Sequence, residues 1–328
     1  MHLGLALPQY DYSVAGERPL RFETIVEYAR AAREAGFDSV WLSDHLFLDL
    51  EKYGGAPDRE GCYDPIVTLA ALARRVPDVR LGTLVLCEAL RPASVLAKAL
   101  ATLDRLSGGR VDIGLGAGWY EPEYAAIGMA MPPPGRRIDR LAEALAVVQG
   151  LLPGDTFTFD GAHHRADRAR ALPGAVQQPR PRVFVGGKGN RLLRLAAEHA
   201  DGWNTCWTWT PDAYRERVDV LDAACARVDR DPATLWRSLG LYTLCGENEQ
   251  DLTRRFERMI AEAPQGVVGG DLDAFRTARL VGTVDEVREQ AATWEELGVD
   301  TLIAGIGAVP FHVTSLDDVA MLGHALGA

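Results

Sequence analysis

Apolar and polar positions along the chain follow two periods that recur in a fixed order. In residues 22–35 the apolar positions Phe22, Ile25, Val26, Ala29 and Ala32 follow the i, i+3, i+4, i+7 spacing of a helix with one buried face. Gly36 follows, and then a short apolar run at 39–42, of the kind buried on both faces of a parallel sheet. The phrase EAGFDSVWLS at 34–43 returns as ELGVDTLIAG at 296–305, and more loosely as EHADGWNTC at 198–206. In the two close copies Gly36 and Gly298 suit the left-handed residue that ends a helix, and Asp38 and Asp300 open the strand. The repeated unit is a helix followed by a strand.

Extended over the whole chain, this pattern predicts strands at 3–7, 39–42, 80–86, 111–115, 182–185, 202–205, 238–245 and 301–304. Helices are expected at 22–35, 65–75, 92–106, 136–151, 191–200, 211–229, 250–262 and 284–297. Parallel strands need crossover helices, so the expected class is α/β, a closed (β/α)8 TIM barrel forming one domain over residues 1–328. An open doubly wound sheet uses the same units, but Pro8, Gln9 and Tyr10 stand where a dinucleotide fold has GxGxxG, which counts against it. Residues 153–181 interrupt the alternation. There FTFDGAHH suggests an inserted hairpin, and the proline-rich remainder an excursion able to act as a lid. His163 and His164 are adjacent, so they point to opposite faces of a strand and read as surface residues of that hairpin.

Composition removes several classes of function. Forty-six acids against thirty-five Lys and Arg give a net charge of -11, which repels nucleic acid and anionic lipid. No apolar run approaches the ~20 residues of a membrane span, and the N-terminus lacks the cationic lead of a signal peptide. The five cysteines include no CxxC pair, against a disulfide framework or a zinc site. The expectation is a cytoplasmic protein without a metal, acting on a small molecule.

In a barrel the chemistry gathers at the C-terminal ends of the strands. Segment 107–124, SGGRVDIGLGAGWYEPEY, reads as a turn, a buried strand and a glycine-rich mouth at Gly116, Ala117, Gly118 and Trp119. After the fifth strand Gly186, Gly187, Lys188 and Gly189 lead into a helix, a place where backbone N–H groups attract phosphate. The spacing is not that of a Walker A loop. Asp44 and His45 follow the second strand, His45 as a candidate proton donor. Glu88 follows the third strand and Asn204 closes the sixth. Trp207 and Trp209, with Tyr10, add aromatic surface for a flat or apolar ligand. No GxSxG elbow or Ser-His-Asp order supports covalent hydrolysis.

Taken together, SDH at 43–45, LRPASVLAKALATLDRLSGGR running into IGLGAGWYEPEYAAIG, and VFVGGKGNRLLRLAAEHADGWN closely resemble the luciferase-like monooxygenase family, in particular its coenzyme F420-dependent oxidoreductases. The resemblance spans nearly the whole chain; GTVDEVREQAATWEELGVDTLIA looks like the family's closing helix and eighth strand. It implies a bacterial luciferase-like barrel with the deazaflavin across the strand C-terminal ends. His45 stands where the family histidine approaches the ring, with Asp44 placed to orient it. Leu84 and Val85 lie where many members have a bulge over a non-prolyl cis peptide. Residues 116–119 match the loop beside the ring, Gly186, Gly187 and Gly189 the phosphate loop, and Asn204 the same cavity, while Tyr10, Glu88, Trp207 and Trp209 are assigned to the substrate pocket. Sugar-phosphate dehydrogenases of the family carry a glutamate where this chain has Trp119, which favours a larger apolar or conjugated substrate. The implied reaction is hydride transfer between the deazaflavin and a small organic substrate, with reduction of an activated C=C or C=N bond as the form it would take, by a homodimer. FMN in place of F420, in a two-component monooxygenase, is the first alternative, and a flavin-binding barrel without catalysis the second.

Overall fold

The computed structural model describes residues 1–267 and 270–327. Eight strands form the barrel: β1 (His2–Ala6), β2 (Ser39–Leu42), β3 (Arg80–Thr83), β4 (Val111–Gly116), β5 (Arg182–Gly186), β6 (Gly202–Trp207), β7 (Trp236–Gly246) and β8 (Thr301–Gly305). Each pairs in parallel with the next, and β8 pairs with β1, so the sheet closes on itself. The expected barrel is therefore the observed one. Its outer ring is α1 (Phe22–Glu34), α2 (Pro65–Arg75), α3 (Ala93–Ser107), α4 (Pro134–Leu151), α5 (Asn190–His199), α6 (Pro211–Ala226), α7 (Val284–Glu296) and α8 (Leu316–Leu326).

The repeated helix–strand phrase has a structural cause beyond burial. Asp38, Asp201 and Asp300 each accept a backbone N–H from the neighbouring strand, from Leu3, Val183 and Arg237 respectively, at 2.7–2.8 Å. A carboxylate at the start of the strand thus satisfies a donor that the ladder leaves free. Three copies of the phrase stitch three different seams of the barrel floor.

Two helix assignments differ from expectation. The helix at Glu249–Glu262 forms but belongs to the β7–α7 connection, with a short helix at Leu272–Arg276 and an added strand at Leu280–Thr283 beside β7. The eighth barrel helix is α8, which the hydrophobic pattern did not single out. Its start is marked by Ser315, whose side chain accepts the Asp318 N–H at 3.2 Å, the usual N-cap arrangement.

The lower half of the barrel interior is filled by aromatic rings. Trp41 stacks on Trp236 with centroids 6.3 Å apart, and Phe184 tilts against Trp236 at 5.0 Å. The cavity described below opens on the other side of that plug, towards the strand C-terminal ends.

The excursion at 153–181 is not placed as a lid. Its hairpin, Phe157–Asp160 with Arg165–Ala169, is held to α4 by Glu143, which accepts the N–H groups of Ala162, His163 and His164. The following stretch is bonded to Asp104 of α3 through the Val176 and Gln177 N–H groups. None of its residues lines the cavity described below. The mouth is instead crossed by the β2–α2 connection, where a two-residue antiparallel pair (Phe47–Leu48 with Glu60–Gly61) and a 3-10 turn at Glu51–Tyr53 place Leu48, Lys52 and Tyr53 over the barrel.

Candidate active site

A cavity of about 500 Å³ opens at the C-terminal ends of the strands, within the range of small-molecule and cofactor sites. Its floor is made where β3 breaks off at Thr83 and resumes as a two-residue strand at Leu86–Cys87. The residues between, Leu84 and Val85, are joined by a cis peptide bond and both line the cavity. Val85 reaches into the middle of the barrel between β4 and β5. A Cβ on Gly116 would lie 2.7 Å from Val85 Cγ2, and one on Gly186 would lie 2.8 Å from Val85 Cγ1. These two glycines therefore seat the valine, a role distinct from the phosphate contact expected of Gly186.

His45 sits at the cavity edge, with 13% of its side chain exposed. Its Nδ1 lies 2.9 Å from Glu123 Oε2, and the other carboxylate oxygen of Glu123 accepts the Leu46 N–H. Glu123 is buried on the short helix Glu121–Ala126 that follows the β4 loop. A carboxylate that accepts a hydrogen bond from Nδ1–H fixes the ring so that Nε2 is the atom available for chemistry. The expected partner, Asp44, does something else: it accepts from Arg91 Nη1 at 2.6 Å and from the Cys87 N–H at 2.9 Å. Asp44 thus ties β2 to the restart of β3, and among the described residues its side chain makes no hydrogen bond to His45.

The opposite walls differ in kind. On one side Gly187, Lys188 and Gly189 lead into α5, with Trp203 Nε1 donating to the Gly187 carbonyl at 2.6 Å and the Gly187 N–H to the Asn204 carbonyl at 2.9 Å. The Asn204 side chain donates to Ser238 Oγ at 2.9 Å. On the other side Tyr10, Tyr53, Trp207 and Phe311 make an aromatic wall; Trp207 meets Phe311 edge-on at 5.5 Å, and Phe311 lies 5.9 Å from Tyr10. The Tyr10 hydroxyl is 2.6 Å from Ser43 Oγ, and burial holds its ionisation far above the usual tyrosine range. Trp119 stands edge-on to His45 at 5.6 Å.

Of the residues singled out from sequence, His45, Asp44, Leu84, Val85, Gly116, Ala117, Gly118, Trp119, Gly186, Gly187, Lys188, Gly189, Asn204, Tyr10 and Trp207 all line this one cavity. Glu88 and Trp209 do not. Glu88 is buried under Arg140 and His164, at 2.9 and 2.8 Å, so His164 is a half-buried ion-pair partner and not a surface residue. Trp209 packs edge-on against Tyr214 in the outer core. Sequence reasoning missed Glu123, Lys52, Tyr53, Arg137 and Phe311. Glu123 lies 78 residues from His45, and no local pattern couples them. Lys52 did carry a signal, since it is one of three lysines among 35 Lys and Arg residues.

Residues 1–301 match the model of the family described as luciferase-like monooxygenase. Among curated proteins, an F420-dependent glucose-6-phosphate dehydrogenase from Nakamurella multipartita is 30% identical over 82% of this chain and 78% of its own length. An F420-dependent hydroxymycolic acid dehydrogenase from Mycobacterium tuberculosis is 33% identical over 72% of this chain and 63% of its own. Among solved structures, an F420-dependent secondary alcohol dehydrogenase with an F420-acetone adduct superposes with a TM-score of 0.77 at 18% identity, covering 99% of this chain and 98% of that one. A monooxygenase from Streptomyces bottropensis gives the same TM-score at 24% identity, with the same coverage. At these identities both structures show the fold.

Proposed function

The chain belongs to the luciferase-like monooxygenase family, and from that premise we propose that it is a coenzyme F420-dependent oxidoreductase. It moves a hydride between the deazaflavin and a small organic substrate, with an activated C=C or C=N bond as the substrate class. The cofactor assignment is supported by relatives whose names specify F420. The geometric observation that carries the reading is the His45–Glu123 pair at the edge of a cavity floored by Val85.

The residues present fit such a cofactor. Val85 offers an apolar seat clear of any side chain from Gly116 or Gly186, and a Cβ on Gly189 would meet nothing within 4 Å, so the entrance to α5 is open. The first N–H groups of α5 lack intrahelical acceptors and favour an anion. On this reading Leu84, Val85 and residues 116–119 flank the ring, and Gly187, Gly189 and the α5 N-terminus take the phosphate. When bound, the deazaflavin supplies a hydride at a ring carbon and resists oxygen.

What the chain itself contributes is position and one proton. Glu123 accepts a hydrogen bond from the Nδ1–H of His45, so protonated His45 presents Nε2–H to the cavity and passes that proton to the substrate atom beside the one receiving hydride. Glu123 stabilises the imidazolium while it waits. In the reverse direction neutral Nε2 takes the proton back. Tyr10, Trp207 and Phe311 give the substrate an apolar or conjugated wall, and the arch carrying Leu48 and Tyr53 limits water. Trp119 fills the position on which the sugar-phosphate reading depends, so the substrate named for the Nakamurella relative is not carried over. A cytoplasmic homodimer completes the proposal by family analogy.

The test is anaerobic mixing of the purified chain with reduced F420 and a panel of unsaturated ketones, nitro-olefins and imines, following oxidation of the cofactor. Turnover with one class and none driven by oxygen is expected. Oxygen uptake with reduced FMN, and no turnover with F420, would replace this reading with a monooxygenase.

A further inference from the structure

Arginine outnumbers lysine heavily in this chain: of 35 Lys and Arg residues three are lysines, Lys52, Lys98 and Lys188. Two of those three line the same cavity, although they come from the β2–α2 arch and from the β5–α5 loop, 136 positions apart in sequence. Where the chain otherwise selects guanidinium, a compact ammonium at two positions lining one cavity points to a demand for a point charge that can turn its donors freely.

Their surroundings leave both charges uncompensated. The carboxylates lining the cavity are Asp44 and Glu123, and each already has its partners, Arg91 and Cys87 for the first, His45 and Leu46 for the second. Among the described residues neither Lys52 nor Lys188 has an acid within ion-pair distance. Lys52 rests over the Trp119 ring, 4.0 Å from its centroid, a contact that orients an ammonium without neutralising it. Burial lowers the Lys52 ionisation and the charge of Lys188 lowers it further, so the two cations lie close enough to feel each other. Arg137 lines the same space, donating from Nη1 to the Gly118 carbonyl while its buried Nε has no partner among the described residues, so it adds a third positive charge to this lining. The N-terminus of α5, immediately beyond Lys188, adds partial positive charge to the same wall. In a protein of net charge -11 this is a local field of opposite sign.

We propose that Lys52 and Lys188 clamp one anionic oxygen group, a phosphate or a carboxylate, of a ligand bound in the cavity, and that this contact joins the β2–α2 arch to the β5–α5 loop. The clamp rests on the reading of the cavity as a ligand site. The shared chemistry has two sources, the phosphate and carboxylate tail of the cofactor or an acidic group on the substrate. An anion between two ammonium groups is held by charge-assisted hydrogen bonds, and removing either group is expected to weaken binding about tenfold at low salt, since each such bond contributes on the order of 1.4 kcal/mol.

The test is calorimetric titration of wild type, Lys52→Met, Lys188→Met and the charge-retaining Lys52→Arg. The probes are coenzyme F420, its riboside lacking phosphate and glutamate, inorganic phosphate, and benzoate added to F420-loaded protein. Weaker F420 binding in both Met variants, with riboside binding unchanged and most affinity kept by Lys52→Arg, supports the clamp with the cofactor as source. Unchanged F420 binding with loss of benzoate or phosphate binding in both Met variants supports it with the substrate as source. If wild type binds F420 and no probe distinguishes the variants, the clamp is overturned while the functional reading stands. If wild type binds neither deazaflavin, the functional reading falls, and the clamp is decided on inorganic phosphate: binding lost in both Met variants supports it, and no binding to wild type overturns it. Lys98→Met, whose ammonium bonds the Leu172 carbonyl elsewhere, controls for loss of charge alone.

Discussion

Two histidine–carboxylate pairs of nearly equal length lie on the same side of this barrel and have opposite fates. His45 meets Glu123 at 2.9 Å and His164 meets Glu88 at 2.8 Å, and both acids are buried. Glu88 also accepts two bonds from Arg140, so its charge is neutralised in place. Burial alone would raise its ionisation, but the bonds from His164 and Arg140 outweigh that and hold it below the usual glutamate range. Among the described residues Glu123 has no guanidinium partner; it receives His45 and one backbone N–H, and His45 borders the cavity while His164 does not. The pairing itself is therefore uninformative. What separates a proton-carrying pair from a brace is whether the second ring nitrogen meets the cavity and whether the acid's charge is already matched.

The comparison breaks most visibly at the histidines. His45→Ala is expected to lower turnover by about 10²–10³-fold while F420 affinity moves only a few-fold, because a positioned proton donor acts on the transition state. His164→Ala should leave turnover within about twofold. Steady-state rates beside cofactor titrations of the two variants decide it, and equal losses would erase the distinction.

Exchanging the acids sharpens it. Glu88→Gln leaves Arg140 without its counter-charge and should cost about 2 kcal/mol of stability with turnover intact, read by urea denaturation and by rate. Glu123→Gln should do the reverse, reducing turnover by about tenfold with a smaller change in the denaturation midpoint.

One histidine is fully buried and has no acid partner among the described residues. His312 is fully buried, its Nδ1 accepts the Ala308 N–H at 3.1 Å, and its Nε2 has no partner among the described residues. Burial lowers its ionisation to about 4 from an ordinary 6.5. The unfolded chain thus takes up this proton at higher pH than the native one, so the stability contribution is complete above pH 6.5 and declines as pH falls towards 4. The decline amounts to at most roughly 3 kcal/mol. His312→Gln should flatten the stability curve over that window, and an unchanged slope would assign the acid sensitivity elsewhere.

The smallest expected effect concerns the floor. Gly186→Ala should push Val85 towards the cavity and weaken F420 binding by about tenfold, whereas Gly189→Ala, which meets nothing within 4 Å, should leave affinity within about twofold. Matching losses in the two variants would remove the valine seat as the reason for Gly186.

The barrel was legible because its strands are buried on both faces and so appear as short apolar runs after a glycine, a signal carried by the chain locally. Helix α8 was not, although Ser315 and Asp318 mark its start, because the run at 250–262 had already supplied an eighth helix to the count. The glycine-rich mouth was also legible, since glycine is needed wherever backbone or a seated side chain crowds in, but the sequence could not say that Val85 is what crowds Gly116 and Gly186. Asp44 was named as the orienting group because it adjoins His45 in the chain; adjacent side chains on an extended backbone point apart, and the partner that meets His45 comes from another loop, at Glu123. The same blindness to distant pairing placed the lid at 153–181, where Glu143 and Asp104 hold the segment down, and passed over the arch that carries Lys52.

Fluorescence titration of the purified chain with coenzyme F420 and, separately, with FMN decides whether this cavity holds a deazaflavin. F420 is expected to bind at least about tenfold tighter than FMN, a preference of about 1.4 kcal/mol, that survives in His45→Ala. A preference for FMN, or no binding of either, would contradict it.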